Sequence, residues 1–272
     1  MNPGKVLSIS LLLCFYLCTV IPSAAAEPDL NELLTAPETM ATSRTTSASP
    51  LCSSFNTFNT LIRDGRISKG AARSELPLRL AGIRAEYYRQ GGRDYSSEKW
   101  VFPVAGYDVR AIDKGRSHGF VSSGYDYFSG NRHGGHPAYD IFIRDRNQGS
   151  RDDRSGRAVS VLSMTGGIVV ALENEWRQGS GLRGGKYLWV YDPGNNLLLY
   201  YAHNEELFVE PGTIVKPGDL LATVGRSGLN AAKRRSPTHL HFSVLHLKNG
   251  QPVPMPVYRE LQLARTLPLQ KS

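Results

Sequence analysis

Cysteine is scarce in this 272-residue chain, which has only Cys14, Cys18 and Cys52. Three residues cannot staple a fold of this length, so a disulfide-built scaffold is excluded. Acidic residues are also in deficit, with 24 Asp plus Glu against 32 Lys plus Arg and a formal net charge of +8. Long hydrophobic runs are missing apart from residues 6–21, which fall short of the roughly 20 residues that a spanning helix needs. No internal repeat, heptad pattern or Gly-X-Y period occurs. A coiled coil, a collagen-like repeat, a multi-span membrane protein and a wholly disordered chain are therefore excluded. What remains is a globular chain, 40% hydrophobic, whose 27 Gly and 16 Pro favour turns and strands over a helical bundle. Its positive surplus suits an anionic surface, whether nucleic acid, acidic lipid or cell-wall polymer, without choosing among them.

The amino terminus is more specific. Lys5 is the only charge before Glu27, residues 6–21 carry none, and Ala24-Ala25-Ala26 follows Pro22 and Ser23. A positive start, an apolar stretch and a small-residue ending predict a secretory signal cleaved after Ala26. Export to the periplasm or extracellular envelope follows, with no stable membrane insertion after cleavage. Cys14 and Cys18 leave with the signal, so the exported fold must rest on its core or on a metal.

Residues 27–54 are rich in Thr, Ser, Ala and Pro and read as a low-complexity leader or linker. Residues 55–96 carry helical signals: Leu80, Ile83 and Tyr87 recur at helix spacing and Gly91-Gly92 ends the pattern. Two short helices are predicted there. After Trp100 the texture changes to short apolar runs at 159–162, 167–172, 187–191, 197–201, 214–215, 220–224 and 239–245, separated by Gly, Pro, Asn and Asp. Many short strands with few helices predict a mainly β, compact antiparallel domain over residues 97–260, followed by a tail at 261–272. Asp192-Pro193-Gly194-Asn195-Asn196 and Lys216-Pro217-Gly218-Asp219 supply turns, and the polar stretch 144–157 reads as a surface loop. Gly179-Ser180-Gly181-Leu182-Arg183-Gly184 fits a dinucleotide-binding pattern, but a strand rather than a helix follows it, so it reads as a loop. A calcium loop at Asp145 is excluded because Ser150 and Gly156 stand where a glycine and a carboxylate are needed.

Two of the histidine spacings carry chemistry. His136-Pro137-Ala138-Tyr139-Asp140 leads into an apolar run, and His239-Leu240-His241-Phe242 lies within one. In a strand, residues two or four apart share a face, so His239 and His241 point together and His136 can share a side with Asp140. Leu240 and Phe242 would then face the core. Three of these four groups can hold a tetrahedral Zn²⁺ and leave a fourth position for water. His118, His133 and His246 read as surface or hydrogen-bonded structural residues.

From residue 102 to about 258 the chain resembles the lysostaphin-type zinc metalloendopeptidases, exported enzymes that cut peptidoglycan peptides. The resemblance rests on an ordered set: His136/Asp140, Tyr201-Ala202-His203, Val215-Lys216-Pro217-Gly218-Asp219, Gly225-Arg226-Ser227-Gly228 and His239-Leu240-His241-Phe242. It implies a compact antiparallel β-sheet peptidase domain with a cleft holding one Zn²⁺ per chain. It further implies that His136, Asp140 and His241 are metal ligands and that His203 and His239 are catalytic. Two departures stand out: Ala138 replaces a common glycine, and Ser243 stands where an acidic residue often follows the second motif.

The function predicted is hydrolysis of peptide bonds in peptidoglycan stem peptides or cross-bridges by a metal-activated water. Lys233-Arg234-Arg235, just ahead of His239, is predicted to attract the substrate at the cleft rim. The competing reading is a non-catalytic wall-binding or hydrolase-activating module on the same fold, against which stands the presence of all five expected site residues. A cupin-type oxygenase also uses His-x-His but expects a glutamate soon after the pair, whereas the first acidic residue after His241 is Glu260. Nucleic-acid binding has net charge alone behind it, with no finger, helix-turn-helix or aromatic platform signal.

Overall fold

The computed structural model describes residues 49–269, so the predicted signal segment, most of the leader and Cys14 and Cys18 lie outside the described residues. Helix α1, Pro50–Arg63, starts inside the stretch read as leader. Its start is a Ser-Pro pair: Ser49 Oγ accepts from the Cys52 amide at 3.3 Å, and Pro50 occupies the first turn, where no amide is needed. Cys52, Phe55, Phe58 and Ile62 form its buried stripe. Helix α2, Lys69–Arg89, is capped by Ser68 Oγ on the Ala71 amide at 3.2 Å. Ala72, Leu76, Leu80, Ile83 and Tyr87 face the core at spacings of three and four. Pro77 cannot bond the Arg73 carbonyl, and Gln251 Nε2 donates to that oxygen at 3.2 Å instead.

Nine strands follow: β1 (Tyr139–Phe142), β2 (Ser160–Leu162), β3 (Gly167–Glu173), β4 (Lys186–Asp192), β5 (Leu197–Leu207), β6 (Ile214–Val215), β7 (Leu220–Val224), β8 (His239–Lys248) and β9 (Gln251–Pro254). All pair antiparallel in one open sheet ordered β1-β8-β5-β4-β3-β6, with β9 on β8, and β7 linking β2 to β5. The mainly β, antiparallel architecture is as the sequence predicts. Helix α3, Tyr258–Leu263, closes the chain order. The residues after it do not trail away: Phe102 and Gly106 amides donate to the Arg265 and Leu267 carbonyls at 2.9 and 2.7 Å.

Side-chain alternation gives the sheet two buried faces. Leu188 and Val190 of β4, Leu199 and Tyr201 of β5, and Leu240 and Phe242 of β8 pack with Phe102, Ile141 and Val161. Trp189 and Tyr191, Leu198 and Ala202, and Leu245 pack on the other face against Phe55, Phe58, Leu76 and Ile83. The odd-numbered positions of β8 belong to this second face. His239 and His241 therefore lie on the side of the sheet that α1 and α2 partly cover.

Candidate metal and hydrolase site

The β1–β8 ladder sets Asp140 opposite His241 and Phe142 opposite His239. This register brings two motifs a hundred residues apart onto adjacent strands. His241 Nδ1 lies 3.0 Å from Asp140 Oδ1, and His136 Nε2 lies 3.3 Å from the same oxygen. One donor atom from each of His136, Asp140 and His241 falls within 4.8 Å of the other two. Ligands held roughly 2.0–2.1 Å from a tetrahedral Zn²⁺ stand about 3.3 Å apart, so the two measured separations suit such an ion. The donor set of two imidazoles and one carboxylate suits it chemically as well, and leaves one coordination position open.

Each remaining ring nitrogen has its own constraint. His136 Nδ1 donates to the Gly119 carbonyl at 2.8 Å, so Nε2 is the nitrogen that faces Asp140 and would be the metal donor. His239 Nδ1 donates to the Pro237 carbonyl at 2.7 Å, with its Nε2 3.8 Å from Asp140 Oδ1. His203 Nδ1 donates to the Ser227 carbonyl at 2.8 Å. The His203 ring centre lies 4.9 Å from that of His239 and 5.4 Å from that of His241. Two imidazoles with free Nε2 atoms thus stand beside the three-donor group, one on either strand flank.

His203 reaches this position through a bulge. Lys186 pairs with Asn204 and Leu188 with Tyr201, so Ala202 and His203 together oppose Tyr187. His203 takes φ +67, a left-handed conformation uncommon for a residue with a side chain, and the strand re-aims it into the cleft. Asn204 repairs the ladder by donating Nδ2 to the Tyr201 and Lys186 carbonyls at 3.0 and 3.1 Å. Ser227 locks the bulge further, donating Oγ to the Asn204 carbonyl at 2.7 Å and accepting from the Lys186 amide at 2.8 Å. The Gly225-Arg226-Ser227-Gly228 segment thus holds both the bulge and the His203 ring.

Burial and charge set the protonation states. Burial, then the neighbouring His239 and His241, hold the His203 pKa well below the usual imidazole value. Burial likewise lowers His241, outweighing the bond to Asp140. Burial works against a charged His136, but its bond to Asp140 and that carboxylate's charge win and raise it. Burial opposes ionisation of Asp140 too, yet hydrogen bonds from His136 and His241 hold its pKa well below the carboxylate range. The group is therefore a carboxylate surrounded by imidazoles: His203 and His241 are biased towards neutrality, whereas Asp140 favours a proton on His136, which that ring must release for its Nε2 to bind a metal.

These residues line a cleft of about 270 Å³, together with His133, Arg183, Tyr200, Asn230 and Ser236. Tyr201 of the Tyr-x-His motif is instead a core residue whose hydroxyl accepts from the Met164 amide at 2.9 Å. Ser243 donates to the Pro137 carbonyl at 2.5 Å and so ties β8 to the loop before β1. Lys233, Arg234 and Arg235 are exposed and do not line the cleft; Arg235 lines a neighbouring groove with Arg144, Arg146 and Arg154. His118 stacks on Tyr258 at 3.6 Å, away from the cleft. His133, read as structural, is a cleft residue; its place three positions before His136 in a glycine-rich turn was the available signal. Tyr200 left no signal because it sits in no motif, and Arg183 falls only within the glycine-rich stretch 179–184 that reads as a loop.

Residues 152–255 match the family model of Peptidase family M23. This segment belongs to Peptidase family M23. It is the lysostaphin-type family that the ordered motifs resemble. The matched M23 segment contains His203, His239 and His241, while His136 and Asp140 lie before it and join it through the β1–β8 ladder. Among solved structures, the chain is similar to LytM from Ruminococcus gnavus, with 28% identity, 49% of each chain covered and a TM-score of 0.37. It is similar to a zinc-containing peptidase from Vibrio cholerae, with 20% identity over 60% of this chain and 39% of that one, TM-score 0.33. It is also similar to the catalytic domain of lysostaphin from Staphylococcus simulans, with 22% identity over 52% of this chain and 90% of that one, TM-score 0.35. The chain spans half or less of the first two of these structures. No curated protein matches it in sequence.

Proposed function

We propose that the protein is an exported zinc-dependent endopeptidase that hydrolyses peptide bonds in peptidoglycan. The observation that carries the reading is the convergence of His136, Asp140 and His241 on one point, with His203 and His239 beside it. In this reading His136 Nε2, Asp140 Oδ1 and His241 Nδ1 hold one Zn²⁺. The chemistry that such an ion supplies when bound is polarisation of the scissile carbonyl and a lowered pKa, towards 7, for coordinated water.

The protein's own residues do the rest. His203 and His239 each present an Nε2 lone pair because their Nδ1 protons are committed to backbone carbonyls. One of them accepts the proton of the attacking water and returns it to the leaving amine, and the other, once it has taken a proton from solvent, donates to the oxygen on which charge develops. Burial of His203 keeps it neutral and competent as an acceptor. The exposed Lys233-Arg234-Arg235 edge would attract an anionic wall over a distance limited by salt screening. Export rests on the charge-free run and the small-residue ending within residues 1–26.

The test is incubation of the mature secreted protein with purified peptidoglycan, with and without chelator, followed by mass spectrometry of released peptides. New amino termini that vanish with chelator and return with Zn²⁺ are expected. A protein that holds zinc, binds walls and releases no peptide would overturn the reading in favour of a wall-binding module.

A further inference from the structure

A second pocket adjoins the cleft on the side of the helices. It measures about 90 Å³ and shares His133, Arg183, Gly184, Tyr200 and His241 with the cleft, so the two spaces meet across the His241 ring. Asn59 and Ile62 of α1 wall it on one side, and Tyr125 and Ser243 line it elsewhere. Its polar character is one-sided. The Tyr200 and Tyr125 hydroxyls make no hydrogen bond among the described residues, although burial pushes both phenols towards the neutral, proton-bearing form. Arg183 spends Nη1 on the His133 carbonyl at 2.7 Å and forms no ion pair among the described residues. The other arginine at the pocket, Arg63, is already matched by Glu173 at 2.5 Å and Asp64 at 2.7 Å. His241 turns Nδ1 to Asp140, and its Nε2 has no partner among the described residues. No Asp or Glu lines the pocket.

Three kinds of donor thus converge on a space that contains no acceptor charge: a guanidinium, two phenols and, when Nδ1 is a metal ligand, an Nε2–H. Donors that line a cleft without an acceptor of their own are free to take one, and a ligand that supplies a charged acceptor gains from all of them together. We propose that this pocket seats a carboxylate of the substrate, one residue away from the bond that is cut, and that Arg183 is its specificity-determining residue. The volume admits a carboxylate with the carbon that bears it, and α1 prevents the occupant from running further along the sheet. The proposal rests on the peptidase reading for its link to cleavage, but not for binding. The carboxylate has two possible sources in a peptide, a chain terminus or an acidic side chain, and both offer the same acceptor.

Zinc-loaded protein would be titrated calorimetrically with N-acetylglycine, with N-acetylglutamate α-amide and with N-acetylglycinamide. One of the two carboxylates should bind about tenfold or more tightly than the neutral amide, and the tighter one names the source. Arg183→Gln should reduce that preference to within about twofold while zinc content stays at the wild-type value. Because a carboxylate can also bind the metal, a preference that survives Arg183→Gln overturns the proposal, as does equal binding of acid and amide by the wild type. Ser243→Asp places a carboxylate at the pocket wall and should also abolish the preference; it serves if Arg183→Gln folds poorly, with thermal melts checking both. A protein that shows the preference yet cuts no peptidoglycan refutes the peptidase reading and keeps the pocket. One that cuts without the preference does the reverse.

Discussion

Gly228→Ala tests whether the Gly225–Gly228 turn positions His203. Gly228 has φ +111, and a Cβ there would stand 2.4 Å from the Arg183 carbonyl oxygen and 2.8 Å from His203 Nδ1. Residues with side chains avoid that φ, and holding one there costs about 1–3 kcal/mol. For a chain of this size that corresponds to a drop of roughly 2–10 °C in melting temperature. Relief of the contact requires the imidazole or the loop to move by several tenths of an ångström, which breaks or lengthens the 2.8 Å bond from His203 to Ser227. A displacement of up to about 1 Å at a group that must meet a reacting proton lowers turnover about 100-fold. The proposed metal ligands lie on β1, β8 and the residues just before β1, so zinc content should not change. The assay combines zinc per chain, thermal melting and peptide release from purified walls. Wild-type turnover would show that the turn does not position His203, and loss of zinc would show that it supports the metal instead.

His203→Ala and His239→Ala should each keep zinc and lose about 10²–10⁴-fold in turnover, whereas His241→Ala should lose both, as metal analysis beside peptide release will show. An emptied site in His239→Ala with zinc retained in His241→Ala would reverse the ligand assignment. Asp126 accepts from Lys69 at 2.8 Å and from the Phe128 amide at 3.1 Å, and although burial opposes it, these bonds lower its pKa. Its stabilising contribution is therefore present above the ordinary carboxylate pKa and is lost as pH falls through the lowered folded value. Asp126→Asn should destabilise by about 1 kcal/mol at pH 7 and by nothing measurable well below pH 4, read from denaturant melts at both pH values. Phe58→Ala removes a ring that is 1% exposed, meets Phe55 edge to face and lies under Arg79. It should cost about 3–5 kcal/mol in the same melts. A loss under 1 kcal/mol would mean that α1 is only loosely docked.

The strands that hold the site were legible because their apolar residues alternate or run continuously between Gly, Pro and Asn. β9 was not, since Pro252 and Pro254 argue against a strand; the structure accommodates them because β9 pairs on one side only, with β8. The start of α1 was hidden by composition: Ser49-Pro50 belongs both to a low-complexity stretch and to a helix cap. His239 and His241 share a face of β8 as their period-two spacing predicts, whereas His136 precedes β1 and meets Asp140 from outside the strand. The place of His203 does not follow from spacing, because its orientation comes from a bulge, and bulges leave no periodic trace. Arg183, Tyr200 and Tyr125 acquire their meaning only from where the β3–β4 loop, β5 and α1 meet.

The packing of α1 and α2 on the histidine-bearing face bears on how the protein can be processed. Removing the helices would bare Trp189, Tyr191, Leu198 and Leu245 together, a contiguous apolar floor of the kind that soluble monomers do not leave open. The α1–α2 pair is therefore expected to stay with the β region after maturation. A maturation cut before Ser49 is expected to leave a stable protein, and a recombinant form begun at the first residue of the β region is expected to aggregate.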